Sequence, residues 1–381
     1  MQRLRRATRI SGTVARILRN RVASRAFALR CAADTRSEAA QIAVFFADGP
    51  ENLYQLKQWL GQVEELAKTY PVAIIVSRPD TGRRLAEVTS LPLVFAPGSA
   101  QLEELVRHGN LEVVLYVNHL DLNFRMLRFA DPVHVHLGHG ESDKDSSVSN
   151  QKKAYDLVLV AGRAAQDRMA SRLRGFDVEL RSRAVGRPQL DEVYAGAPPW
   201  PEDGTIRVFY APTWEGDRPS MAYGSAATHG VTLVRALVAD PRFRVIYRPH
   251  PRAGFHSPAY AAADRAIRAT LARSGRHLVD RGEYGWQWDF ADVCVTDVSS
   301  AAYDWLATAK PMLVTVPADP LAVVPESRFL AQVPRLRADE AASVVARIDE
   351  ILGQSAPEET IAELSEYYFG DTSPGASSRR F

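Results

Sequence analysis

Cysteine is almost absent from this 381-residue chain: Cys31 and Cys294 are the whole supply. Two thiols build neither a disulfide framework nor a cysteine-rich zinc site. Cys294 sits inside an apolar strand pattern and reads as a small core residue, and a reducing cytoplasm fits best. Long apolar runs are missing as well, none approaching the roughly 20 residues that span a bilayer. The formal net charge is only +2, which removes any global electrostatic case for nucleic acid. Neither G-x-G-x-x-G nor G-x-x-x-x-G-K-[ST] occurs, which argues against dinucleotide and P-loop chemistry. What is present is ordinary for a soluble globular protein, with 46% hydrophobic and 24% charged residues. The chain is long enough for two domains with proper cores.

Acid is missing from the start of the chain. Arg3, Arg5, Arg6, Arg9, Arg16, Arg19, Arg21, Arg25 and Arg30 all precede the first acidic residue, Asp34. Between them Leu4, Ile10, Val14, Ile17, Leu18, Val22 and Phe27 fall largely on one helical face. The arginines interrupt any apolar core, which excludes a secretory signal. Residues 1–30 are expected to form an interfacial helix on anionic lipid, where each basic residue contributes about 1 kcal/mol at best. A solvated basic leader, or a helix packed on the body of the protein, is the plainer reading.

After the leader, apolar β-rich runs alternate with helical patterns. Strands are predicted over 42–47, 72–76, 91–96, 111–117, 133–137 and 157–160, and helices over 53–67, 100–107 and 164–173. Residues 195–204, Ala-Gly-Ala-Pro-Pro-Trp-Pro-Glu-Asp-Gly, break the series, because such a stretch continues neither a helix nor a central strand. The alternation restarts with strands over 206–210, 244–247, 293–296 and 312–316. Helices are predicted over 232–239, 259–273, 300–309, 341–352 and 361–368. This pattern predicts an α/β chain with parallel sheets. It divides into a leader (1–37), two Rossmann-like domains (38–195 and 205–355) and a C-terminal helix with a mobile tail (356–381). The two sheets are expected to face a central cleft that holds the active site.

Three short motifs stand at predicted strand ends, where open α/β sheets bind ligands. Asp297-Val298-Ser299-Ser300 follows one apolar run and opens a helix, since Asp and Ser are strong N-cap residues. Free N–H groups and serine hydroxyls there suit an anion, although an ordinary helix cap has the same sequence. Arg248 and His250 share one face of Arg248-Pro249-His250-Pro251, an extended segment stiffened by its prolines. Arginine forks onto phosphate oxygens, and imidazole donates to phosphate or moves a proton near neutral pH. Ala211-Pro212-Thr213-Trp214-Glu215 is the third.

Three histidines crowd Val133-His134-Val135-His136-Leu137-Gly138-His139-Gly140. His134 and His136 lie in a strand pattern with no cysteine nearby, so packing roles are expected in place of zinc. His139, between two glycines past the strand end, is placed to meet a substrate. As a general base it is worth roughly 10²–10⁴-fold in rate.

In order and spacing these motifs resemble those of the CDP-glycerol glycerophosphotransferases of teichoic acid synthesis. The family's His-Gly-Thr-Pro-Leu-Lys type motif is matched by His139-Gly140-Glu141-Ser142-Asp143-Lys144, which keeps the His, Gly and Lys. Its Arg-Pro-His-Pro is intact at residues 248–251, and its Asp-Tyr-Ser-Ser is present as Asp297-Val298-Ser299-Ser300. The downstream Phe-Asp is Tyr303-Asp304, followed by Lys310-Pro311. The family's Ala-Pro-Thr-Trp-Arg ends here in Glu215. The likeness covers roughly residues 130–320. It implies a GT-B fold, with residues 38–195 serving acceptor and base and 205–355 binding the CDP donor.

The resemblance also implies a metal-independent reaction with no cofactor. An acceptor hydroxyl attacks the β-phosphorus of CDP-glycerol, and CMP leaves. By that likeness His139 is the base, while Arg248 and His250 steady the charge growing on the leaving group. Thr213, Asp297, Ser299, Ser300, Gly140 and Lys144 would bind substrate. Which histidine takes the proton stays open. The implied acceptor is a lipid-linked polymer at the inner face of the cell membrane, which suits the basic leader. Glu215 removes a potential phosphate partner and points to a changed donor or acceptor, such as CDP-ribitol. Two other readings use the same residues: a GT-B glycosyltransferase with a nucleotide-sugar donor, and a binding protein without turnover.

Overall fold

The structure is a computed structural model that describes residues 22–144, 147–324, 326–353 and 358–381. The leader arginines from Arg3 to Arg21 lie outside the described residues.

Two sheets organise the chain. The first contains β1 (Ile42–Phe46), β2 (Val72–Val76), β3 (Leu93–Phe95), β4 (Val113–Tyr116), β5 (Val133–His136), β6 (Leu157–Val160) and β7 (Ser182–Ala184). Its order is β3-β2-β1-β4-β5-β6-β7, and the pairings from β3 across to β6 are parallel. The second contains β8 (Ile206–Ala211), β9 (Phe243–Tyr247), β10 (Leu278–Val279), β11 (Val293–Thr296), β12 (Met312–Thr315) and β13 (Arg335–Leu336). Its order is β10-β9-β8-β11-β12-β13, parallel throughout. Counted from its own first strand, each sheet contains the doubly wound order 3-2-1-4-5-6, which reverses between the first strand and the fourth.

The central strands are continuous apolar runs because helices cover both faces. Val72–Val76 buries all five residues, and Met312–Thr315 all four. Alternate residues of β8 feed opposite cores: Phe209 and Ala211 join one, Val208 and Tyr210 the other. Cys294 lies in the first of these cores. Three strands escape the sequence reading, β7, β10 and β13. Each is two or three residues long at a sheet edge, too short to write a period.

By contacts the chain forms two units. The first comprises the residues up to His139, with Gln151–Leu159 and Arg181–Arg183. The second comprises Gly140–Asn150, Val160–Leu180 and Ala184–Phe381. Residues 195–204 are therefore not the junction expected of them. They lie within the second unit, where the Trp200 ring sits 5.7 Å from Phe290 and takes the Arg244 guanidinium at 5.4 Å. Packing of a half-buried large aromatic overrides the linker-like composition around it.

The C-terminal tail carries a helix of its own. Residues Ala376–Arg380 form a helix with Ala376 and Ser377 buried, and Asp191 accepts the N–H groups of Gly375 (3.0 Å) and Ser378 (2.7 Å). At the other end, residues 22–32 form a helix packed on the first unit. It buries Cys31 and Phe27, with the Phe27 ring edge-on to Phe95 at 5.5 Å.

Candidate active site

At the reversal point of the second sheet β8 and β11 end side by side, with Ala211 opposite Thr296. Asp297 follows and is fully buried. One of its carboxylate oxygens accepts the N–H groups of Thr213 (2.7 Å) and Ser225 (3.0 Å), and the other accepts the Thr315 hydroxyl (2.7 Å). Burial pushes its pKa up against the pull of these donors. Asp297 therefore ties together the ends of β8, β11 and β12. It has no surface for a substrate, which corrects the contact expected of it. Thr213 is buried beside it with its N–H committed. Ser299 is the N-cap of the helix Ser300–Leu306, yet its side chain makes no cap bond. Its hydroxyl lies 3.5 Å from that of Thr296.

Residues 140–144 run past this point. A Cβ at Gly140 would stand 2.8 Å from the Ser300 Cβ, so only glycine permits this approach. Glu141 and Asp143 both pair with Arg168, and Asp143 also accepts the hydroxyls of Tyr303 and Tyr368, each at 2.7 Å. The two acids that depart from the family pattern are thus committed to one buried network. That network fixes the loop and sets the half-buried Lys144 ammonium 5.0 Å from the Tyr223 ring. Burial lowers the Lys144 pKa to about 8, with Asp297 opposing the shift. No carboxylate or carbonyl among the described residues accepts a hydrogen bond from it.

After β9, Arg248 donates to the Asp280 carboxylate and, at 3.0 Å, to the Gly282 carbonyl, with Tyr284 stacked 5.1 Å away. The guanidinium expected to grip phosphate thus organises residues 280–284. His250 points elsewhere. Its Nδ1 accepts the Arg252 N–H at 3.1 Å, and the ring stacks near Trp214 (6.3 Å, 22°). An N–H can only donate, so the ring proton of neutral His250 is on Nε2. Glu215 accepts three main-chain N–H groups, from Gly254 (2.9 Å), His256 (2.7 Å) and Ser257 (3.0 Å). Burial alone would raise its pKa; these donors outweigh it and hold the carboxyl below its ordinary range.

In the first unit, His139 follows β5 through Gly138, whose φ of 73° suits glycine. The Trp59 indole N–H donates to the Gly138 carbonyl at 2.6 Å, and the Tyr54 ring meets the imidazole edge-on at 6.3 Å. His139 Nδ1 lies 3.2 Å from the Val117 carbonyl at the end of β4. A carbonyl can only accept, so Nδ1 carries a proton, and in the neutral ring Nε2 is the basic nitrogen. His134 and His136 are buried. His134 sits between the Tyr116 hydroxyl and the Phe129 carbonyl, each at 2.8 Å, and His136 stacks on His119 at 4.0 Å.

Sequence reasoning missed Arg168, Tyr223, Ser225 and Asp280, because each acts on a motif residue from outside any motif. An acid pair such as Glu141 and Asp143, buried on one loop, does call for a cation, and that was the available signal for Arg168. Among the described residues no group of three His, Cys, Asp or Glu side chains is placed to hold a metal ion. A cavity of about 240 Å³ in the first unit, lined by Phe27, Arg30, Cys31 and Leu91 among others, contains none of the motif residues.

Solved structures share the architecture. The wall teichoic acid polymerase TagF is 14% identical with a TM-score of 0.61, covering 96% of this chain and 94% of that one. A glycosyltransferase from Rickettsia africae is 11% identical at a TM-score of 0.53, covering 90% and 96%. HepE of Anabaena, solved with UDP and glucose, is 12% identical at 0.51, covering 86% and 95%. No curated protein sequence matches the chain. The paired 3-2-1-4-5-6 sheets place the protein in the GT-B class of transferase folds. Residues 132–319 match the family of CDP-glycerol:poly(glycerophosphate) glycerophosphotransferases. Over that stretch, just under half of the chain, it is similar to this family, and it is a transferase of the glycerophosphotransferase type.

Proposed function

We propose that this chain transfers glycerol phosphate from CDP-glycerol to a hydroxyl of a lipid-linked polymer and releases CMP. The family match supports the donor and the transfer. The observation that carries the reading to residues is Lys144: a half-buried cation, with no hydrogen-bonding acceptor among the described residues, beside the close approach of Gly140 to Ser300. A buried charge left so exposed to an incoming anion is the chemistry of a phosphate site.

In this reading Lys144 and the Ser299 and Ser300 hydroxyls hold the donor diphosphate, and Thr213 is held at its edge by Asp297. The acceptor oxygen bonds to the β-phosphorus as the bond from that phosphorus to the bridging oxygen breaks. Its electron pair leaves with CMP. The hydroxyl proton passes to Nε2 of His139, the nitrogen left basic by the Val117 carbonyl. Nε2–H of His250 donates to the oxygen on which charge grows, a preorganised term worth about 10²–10³-fold. Arg248 acts through the loop it holds at Asp280.

The acceptor's lipid anchor places the reaction at the inner face of the cell membrane. The helix over residues 22–32 supports that placing, because Val22 and Leu29 are 69% and 64% exposed beside the exposed Arg25 and Arg30. Among the described residues no helix is long and apolar enough to cross a membrane.

The test offers the purified chain CDP-glycerol, CDP-ribitol and UDP-sugars with a membrane-lipid acceptor extract. CMP release from CDP-glycerol is expected. UDP release in its place would move the reading to glycosyl transfer, and nucleotide binding without turnover would make the chain a binding protein.

A further inference from the structure

Trp214 and Glu215 are consecutive residues that grip one loop in two different ways. Trp214 holds side chains, with the Arg252 guanidinium 4.0 Å from its ring and His250 stacked beyond. Glu215 holds backbone, taking the N–H groups of Gly254, His256 and Ser257 on its two carboxylate oxygens. The loop needs such an acceptor. It leads into the 14-residue helix Pro258–Leu271, whose N-cap Ser257 makes no side-chain cap bond. A carboxylate thus takes the N–H groups of the loop, up to the N-cap Ser257, at the positive end of the helix. The main chain of this same loop supplies the Arg252 N–H that meets His250 Nδ1.

We propose that Glu215 is the positioning residue for His250. By fixing residues 252–257 it keeps the Arg252 N–H on Nδ1, and so keeps His250 in the tautomer that donates from Nε2. An arginine at this position has no oxygen to accept three N–H groups. The acid is thus a loop clamp and not a lost phosphate partner. The inference rests on the donor role of His250 given under the proposed function, but its structural half can be read without turnover.

The test uses the full chain with Glu215→Gln and Glu215→Ala. Nitrogen-15 shifts of the His250 ring, assigned by their loss in His250→Gln, report the tautomer directly. The wild type is expected to show the Nε2–H form, and both variants a mixture, with the His139 ring unchanged. In CMP release the kcat should fall about ten- to a hundredfold, the range for a displaced catalytic group, with KM for CDP-glycerol nearly constant. If Glu215→Ala fails to fold, Glu215→Gln, which keeps one acceptor oxygen, decides the matter. A wild-type tautomer in Glu215→Gln overturns the inference, whether or not the melting temperature falls. Absence of CMP release in the wild type would overturn the proposed function instead, and the tautomer comparison would still decide the role of Glu215.

Discussion

The ammonium of Lys144 stands 5.0 Å from the centre of the Tyr223 ring, a face that attracts a cation without neutralising it. Tyr223 is itself fixed, buried with its hydroxyl on the Val323 carbonyl at 2.6 Å. Burial of the ammonium brings its pKa down to about 8, so its charge is lost within a range that an assay can cover.

The sign follows from the direction of that shift. Below about pH 8 Lys144 is protonated and attracts the donor diphosphate; above it the amine is neutral and the attraction fades. The KM for CDP-glycerol should therefore be lowest below pH 8 and climb as the pH passes through it. A bound diphosphate stabilises the ammonium, so the matching limb in kcat should lie at higher pH. Lys144→Met should raise KM at pH 7 and flatten the profile across pH 8. A wild-type profile already flat there would remove Lys144 from donor binding.

A second relationship governs stability. Arg187 donates from Nε to Asp304 at 2.8 Å, with side-chain exposures of 5% and 0%. Gln189 and Tyr284 complete the group, at 3.1 Å and 3.2 Å. Removing one partner leaves an uncompensated buried charge, which costs about 3–5 kcal/mol. Asp304→Ala and Arg187→Met should each lower the urea midpoint by a corresponding amount. The double variant should recover much of the loss, because no charge is then stranded. Additive losses in the double variant would show that the pair is not what stabilises the second unit.

Asp304 also shows how far the sequence could be read. Its place after Tyr303 was legible as part of a pattern, but its partner Arg187 lies 117 positions away and no local period points to it. The strands were legible where burial on both faces writes a continuous apolar run, as at Val72–Val76. Edge strands such as Leu278–Val279 were not, for lack of length. Within the site, the residue types at strand ends announced phosphate chemistry, yet their division of labour was hidden. Asp297 and Arg248 look like ligands in sequence, and only the folded chain shows their charged groups already engaged. Gly140 was expected in sequence only as a substrate contact, and the folded chain adds that its backbone stands close against Ser300.

The helix over residues 22–32 has two faces with different duties. Phe27 and Cys31 are buried on the first unit, while Val22, Arg25, Ala26, Leu29 and Arg30 are exposed at helical spacing. Apolar side chains interleaved with arginines on an outward face suit a surface of anionic lipid, where each basic residue contributes about 1 kcal/mol. In the full chain, Arg25→Glu with Arg30→Glu should therefore weaken binding to phosphatidylglycerol-containing vesicles by at least about tenfold at low salt, since two reversed charges exceed 1.4 kcal/mol. Val22→Ser with Leu29→Ser should weaken it less, and should leave a salt-sensitive remainder, because screening acts on charge and not on buried apolar area. CMP release with a detergent-soluble acceptor should be unchanged in both, since neither pair belongs to the transfer site. Vesicle binding that survives the charge reversal would show that this face does not meet the membrane.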